Sequence, residues 1–196
     1  MLVLFILIPV LSPAMAQSSK TFLYFGYGSN LLSKRIHLFN PSAVRQCVAR
    51  LDNHRLDFGF DSKLWKGKVA TIVPDETEHV WGAVWRINME NMKDLDRQEE
   101  VERNIYKPIE VQVKTADSEN ITCRCYMLVN QPTKIPPGES VPVERRPSIS
   151  YLNVIINGAI ESGLPDHYIE KLKKIEHNGI KADEEKIFAG HTMSVP

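Results

Sequence analysis

Apolar and aromatic side chains run unbroken through Phe22-Leu23-Tyr24-Phe25, and Gly26-Tyr27-Gly28-Ser29-Asn30 then breaks the run. A short apolar run bounded by turn residues reads as a buried strand. Behind it, residues 31–38 carry apolar side chains at helical spacing. Residues 44–51 read as a strand, 52–54 as a turn and 55–60 as its partner, with Leu56, Phe58 and Phe60 on one face. Residues 61–67 form a loop whose Trp65 and Gly67 are placed to close over a site, although Trp65 equally suits packing. A short strand at 69–73 and an acidic turn at 74–78 lead to residues 80–87, which are apolar on both faces and therefore central in a sheet. Asn88 suits the cap of a helix from 89 to about 100. Residues 106–114 alternate as a strand, 116–120 turn, and 121–129 return. Five prolines mark 131–147 as a long loop. Ile149, Leu152, Ile155, Ile156 and Ala159 form a helical stripe that Gly163 stops. Pro165 opens a last helix with Ile169, Leu172 and Ile175 inward, and the polar tail from 178 reads as loosely held. About six strands with helices inserted between antiparallel pairs predict an α+β fold.

Length and charge narrow the classes. The chain has 196 residues and a formal net charge of zero. That is enough for one domain with a sizeable core, and it makes no case for nucleic acid or an anionic membrane. The six histidines are scattered, and no Cys-x-x-Cys exists, so no metal site is expected. Residues 1–11 are almost wholly apolar, and Ser12-Pro13-Ala14-Met15-Ala16 ends in a small-x-small pattern. This predicts a signal peptide over 1–16, secretion, and no membrane attachment after cleavage. The competing reading is an uncleaved anchor, because the segment contains no Lys or Arg. The mature chain would be one domain, 17–196, with its core over about 20–176. Secretion changes how Cys47, Cys123 and Cys125 read. The last two sit two apart on one strand face, near the limit of disulfide reach, so buried free thiols are the favoured reading. Asn120-Ile121-Thr122 is an N-glycosylation acceptor at an expected hairpin turn.

Two stretches carry candidate chemistry. A strand, a Gly-rich turn and a helix start aim backbone N–H groups at one point, which suits an anion. Gly28 permits close approach, and Ser29 and Asn30 offer side-chain donors or caps. The same residues also suit a plain strand-to-helix turn. The second stretch is Asp94-Leu95-Asp96-Arg97-Gln98-Glu99-Glu100. By charge alone it reads as a solvated helix end.

Tyr24-Phe25-Gly26-Tyr27-Gly28-Ser29-Asn30-Leu31 resembles the substrate-binding signature of the gamma-glutamylcyclotransferase family. Further pieces match in order, among them Asn40-Pro41-Ser42-Ala43, Leu56-Asp57-Phe58-Gly59, Leu95-Asp96-Arg97-Gln98-Glu99 and Gly163-Leu164-Pro165. The resemblance runs from about Thr21 to about Glu176. It implies a small, mixed, partly closed barrel flanked by helices, a small-molecule gamma-glutamyl substrate, and no cofactor. It implies Glu99 as the catalytic carboxylate and Tyr24, Phe25, Gly26, Tyr27, Gly28, Ser29 and Asn30 as the substrate-binding stretch. Tyr151 occupies the place of a family tyrosine that could hydrogen-bond substrate, or it is an ordinary core residue. The familiar members have a glycine after the glutamate, where this chain has Glu100, so Glu100 is a lesser candidate for the base. They are also cytosolic, so a secreted member leaves two alternatives open: a cyclotransferase for gamma-glutamylamine isopeptides, or a binding protein on the same fold. The resemblance allows a homodimer.

Overall fold

The computed structural model describes residues 20–190. The expected leader, 1–16, lies outside these residues. Five strands close into a barrel in the order β1-β3-β2-β4-β5. They are β1 (Thr21–Gly26), β2 (Val44–Ser62), β3 (Gly67–Asn88), β4 (Tyr106–Thr115) and β5 (Asn120–Leu128). All neighbours are antiparallel except at the closing seam, where β5 meets β1 in parallel at Tyr24 and Arg124. The expectation of a mixed barrel holds, and the barrel is closed rather than partly so. β3 lies between β1 and β2, as its two apolar faces require.

The turn residues at 52–54 and 74–78 do not end strands. They sit inside the long antiparallel pair β2–β3. Asp52 pairs with His79 and His54 with Pro74, so Asn53 alone stands opposite Asp75, Glu76, Thr77 and Glu78. Asn53 is left-handed, at φ 58°. The local chemistry of a turn is present, with Asp75 accepting from the Thr77 N–H at 3.1 Å. It makes a bulge because the flanking apolar residues continue to pair beyond it.

The helices are α1 (Ser33–Ile36), α2 (Met92–Gln98), α3 (Ile149–Ser162), α4 (Asp166–Lys173) and α5 (Glu184–Phe188). α1 is a single turn preceded by a 3₁₀ turn, Ser29–Leu31. Neither has a side-chain cap, so the expected capping by Ser29 or Asn30 is absent. The Asn88 side chain likewise caps nothing. α3 is capped by Ser148 Oγ, which accepts from the Tyr151 N–H, and Gly163 stops it at φ 74° as expected. α3 approaches the 3₁₀ turn closely because residue 158 is glycine. A Cβ there would lie 2.5 Å from Leu32 N and 2.7 Å from Leu31 C.

The tail is not loose as far as Gly190. Ile180 C=O accepts from Ile149 N–H at 3.0 Å, and the Ala182 N–H donates to Ser150 Oγ at 2.9 Å. Ile187 of α5 is fully buried. A few apolar side chains with no periodicity hide this docking in the sequence.

Candidate active site

The loop after β1 and the end of α2 meet through side-chain amides. Asn30 Nδ2 donates to Tyr24 Oη at 3.0 Å and to Glu99 Oε1 at 3.2 Å. Gln98 Nε2 donates to Asn30 Oδ1 at 2.8 Å and to Glu99 Oε1 at 3.4 Å. Asn30 is therefore a bridge that orients the carboxylate, and both amides are buried. Glu99 sits at the C-cap of α2, where the last turn places it beyond the helix proper. The 3₁₀ turn's first internal bond is from Leu31 N–H to Gly28 O. The N–H groups of Ser29 and Asn30 precede it and remain outside that pattern, in the place where a turn can receive an anion. α1 is only one turn long, so no long helix dipole stands behind these donors.

Glu99 is half-buried. Burial is the leading cause that raises its carboxyl to about 7, opposed by the Arg35 guanidinium and the Asn30 hydrogen bond and reinforced by Glu100 and Asp96. Around it stand phenols. Burial pushes Tyr24, Tyr27, Tyr106 and Tyr151 upward. Burial likewise raises the Cys125 thiol. These groups are neutral donors and acceptors near pH 7, and Glu99 is the group brought to the range where a proton can be both taken and returned.

The supports are specific. Ala70 of β3 pins two tyrosines, donating its N–H to Tyr151 Oη at 3.0 Å and accepting from Tyr106 Oη. Tyr27 Oη donates to Tyr126 O at 2.7 Å. A Cβ on Gly28 would lie 3.4 Å from Tyr151 Oη, so the glycine keeps a gap between loop and phenol. The structure thus brings Tyr24, Tyr27, Gly28, Ser29, Asn30, Glu99 and Tyr151 together. Phe25 faces the other way along β1 and packs in the core beside Gly82. Gly26 lies beside Tyr24 and Trp85 at ordinary contact distance, where a Cβ would sit 3.5 Å from Trp85 Nε1.

Four further residues belong to this neighbourhood. Tyr106 and Tyr126 come from alternating strands. Arg35, buried in α1, lies over the Trp65 ring with its guanidinium carbon 5.4 Å from the centroid. Trp65, 1% exposed, packs 4.7 Å from the Tyr151 ring. It packs behind Tyr151, as the packing alternative for this loop expects. Gly67 lets the loop approach the backbone before α3: a Cβ there would meet Ser148 N at 2.5 Å. Burial lowers the Arg35 guanidinium to about 10, which leaves it charged at neutral pH. The cavity of about 270 Å³ bounded by Leu56, Phe58, Pro147, Tyr168, Leu172 and Ile175 contains none of the Glu99 neighbourhood. Among the described residues, no group of three or more His, Cys, Asp or Glu is placed to hold a metal.

Residues 79–172 match the AIG2-like family. The chain is 50% identical over 169 residues to a protein of Mus musculus named gamma-glutamylcyclotransferase, covering 84% of each chain. It is 48% identical over 163 residues to the Homo sapiens protein of the same name, covering 81% of each. A solved structure titled gamma-glutamyl cyclotransferase superposes with a TM-score of 0.77 at 44% identity, covering 85% of this chain and 96% of that one.

Proposed function

The chain belongs to the gamma-glutamylcyclotransferase family, and on that premise we propose that it closes gamma-glutamyl amino acids and dipeptides to 5-oxoproline with release of the amino acid. The observation that carries this reading is the Glu99 carboxylate, held by the loop's Asn30 at 3.2 Å and raised to about 7.

The substrate's alpha-ammonium must lose a proton before its nitrogen can attack. Glu99 takes that proton. The amine attacks the gamma-carbonyl carbon, a five-membered ring closes, and the carbonyl oxygen becomes an oxyanion. As the oxyanion collapses and the old amide bond breaks, Glu99 returns the proton to the leaving nitrogen; it then takes the second proton from the ring nitrogen, which keeps one N–H, and that proton departs with the released amine as its ammonium. One carboxylate serves these transfers because they are sequential. The upward shift matters in size. An alpha-ammonium has a pKa of roughly 8, and each unit of mismatch costs about 1.4 kcal/mol. A base near 7 leaves about one unit uphill, where an ordinary carboxylate would leave more than three. The Ser29 and Asn30 N–H groups are the donors for the substrate carboxylate or the oxyanion. One such donor is typically worth about 2.7–4 kcal/mol. Holding amine and carbonyl in a bent register contributes at least as much. The steps use the chain's own groups throughout, with no cofactor.

Release of 5-oxoproline, timed over a panel of gamma-glutamyl dipeptides and gamma-glutamyl-lysine isopeptide, tests the reading. Turnover of dipeptides is expected. Turnover confined to the isopeptide would replace the substrate class, and no release from any would leave a binding protein.

The proposal extends to a secreted, N-glycosylated member. Its support is the apolar leader over 1–16 with its small-x-small end, and the exposed Asn120 at the start of β5. A homodimer is part of the same expectation, and a molecular mass by light scattering decides it.

A further inference from the structure

Glu100 follows the C-cap of α2 in the left-handed conformation, at φ 50°. Helices commonly end on glycine at such a position. Here a glutamate stands there, and its side chain folds inward, 5% exposed. Its carbonyl accepts from Arg103 N–H at 3.1 Å and Ile105 N–H at 3.3 Å, which locks the backbone. Its carboxylate Oε2 accepts from Arg103 Nη1 at 3.2 Å. On the preceding turn Asp96 has the same arrangement, accepting from Arg124 Nη2 at 2.6 Å. The half-buried Glu99 therefore has two carboxylate neighbours, Glu100 next in the chain and Asp96 three residues before it, each held by its own arginine.

We propose that Glu100 is a positioning residue for the reaction, an electrostatic neighbour of Glu99 whose strength is set by its pairing with Arg103. The proposal rests on the reading of Glu99 as the base. The groups around Glu99 are few in kind. α2 and its continuation supply Asp96, Glu100 and Arg103. α1 supplies Arg35, and β5 supplies Arg124, Cys125 and Tyr126. Tyr24 and Tyr27 come from β1 and its loop, Tyr106 from β4 and Tyr151 from α3. Burial raises every one of these phenols and the thiol, so they carry no charge near neutrality. The charges that bear directly on the base are the two carboxylates and the Arg35 guanidinium, and Arg103 and Arg124 act through the carboxylates they pair with. Removing the Glu100 charge leaves Arg103 behind and makes the anion of Glu99 easier to form. Removing the Arg103 charge leaves Glu100 behind and makes it harder. The two changes must act in opposite directions.

The test is the pH dependence of kcat/KM for the full-length enzyme and for Glu100→Gln, Glu100→Gly and Arg103→Gln. For a neighbouring charge in a wet setting, the shift is on the order of half a pH unit. The acid limb should move to lower pH in both Glu100 variants. It should move to higher pH in Arg103→Gln, by less, because that side chain is 60% exposed. Glu100→Gly accommodates the left-handed backbone and covers the case in which the glutamine variant folds poorly. Limbs that stay in place, or that move the same way in both residues' variants, overturn the proposal. Loss of all turnover in Glu100→Gln, at every pH and with the fold intact, overturns it too and moves the base by one residue. Near-normal turnover in Glu99→Gln is the separate outcome that defeats the reading of the base itself.

Discussion

Replacing Glu99 by glutamine keeps its shape and removes both its proton affinity and its charge, so two independent measurements follow from one change. The amide cannot take the ammonium proton, and kcat should fall at least 10²-fold, the lower end of what general acid–base groups contribute. Binding should weaken less, because the Ser29 and Asn30 donors remain. The second measurement is stability against pH. The folded carboxyl is raised from 4.5 to about 7, so between these values the folded state holds a proton that the unfolded chain has released. Stability therefore falls as pH rises through that window. The loss is on the order of 2–3 kcal/mol at most, since Glu99 keeps some contact with water. Glutamine escapes it. Glu99→Gln should melt at higher temperature than the parent at pH 8 and level with it at pH 4.5. Equal melting curves at pH 8 would show that the carboxyl is not destabilised by its surroundings, and the base would lose its poise. Glu99 and Asn30 were legible from the chain because each lies in a contiguous motif. Tyr106, Tyr126 and Arg35 were not, and Trp65 was legible only as one of two alternatives. An inward tyrosine on a strand looks like any core aromatic, and a buried arginine looks like a surface one until its contacts are known.

At the scale of elements, the strands and the long helix follow from periodicity, and the two departures from it have different causes. Asp52-Asn53-His54 and the segment 74–78 have the composition of turns, yet the pairing of β2 with β3 resumes beyond them. Tertiary pairing overrides local preference there. The tail is the opposite case, a polar segment fixed by few but specific contacts. Asp183 caps α5 by accepting from the N–H groups of Glu185 and Lys186. The Ile187 carbonyl accepts from Arg35 Nη1 at 2.9 Å, and Lys34 Nζ lies 4.1 Å from the Phe188 ring centroid. α5 thus holds the cation that opposes the upward shift of Glu99. Ending the chain after Gly179 should lower the melting temperature and move the acid limb of kcat/KM to higher pH, because Arg35 loses its carbonyl and gains water. Ile187→Ala separates the two effects. It should cost about 2–5 kcal/mol of stability, as large-to-small core changes do, while the backbone carbonyl and the acid limb stay. A truncated chain with the parent's pH profile would show that α5 is only packing.

For the whole molecule, the question is whether this fold suits export into an oxidising compartment. Three cysteines are free among the described residues. Burial raises the Cys47 thiol, takes Cys123 to about 12, and raises Cys125 further. The thiolate is the form that attacks oxidants and disulfides, so these thiols are slow to react while the barrel is closed. Cys123 and Cys125 stand two apart on β5 and are both buried. If the proposed export takes place, packing protects Cys123 and Cys125, while Cys47 is only partly covered. The proposed glycan acceptor is suitably placed, since Asn120 is exposed at the hairpin between β4 and β5, opposite Lys114. Material collected outside expressing cells should begin at Gln17 and lose mass on treatment with an N-glycosidase, with Asn120→Gln abolishing the change. A thiol reagent should label Cys123 and Cys125 only after denaturation, when all three cysteines should titrate. Protein that still begins at Met1 would defeat the signal peptide, and a mass indifferent to the glycosidase would defeat the glycan. Fewer than three thiols after denaturation without reductant would show that the closed barrel does not keep its cysteines from oxidation.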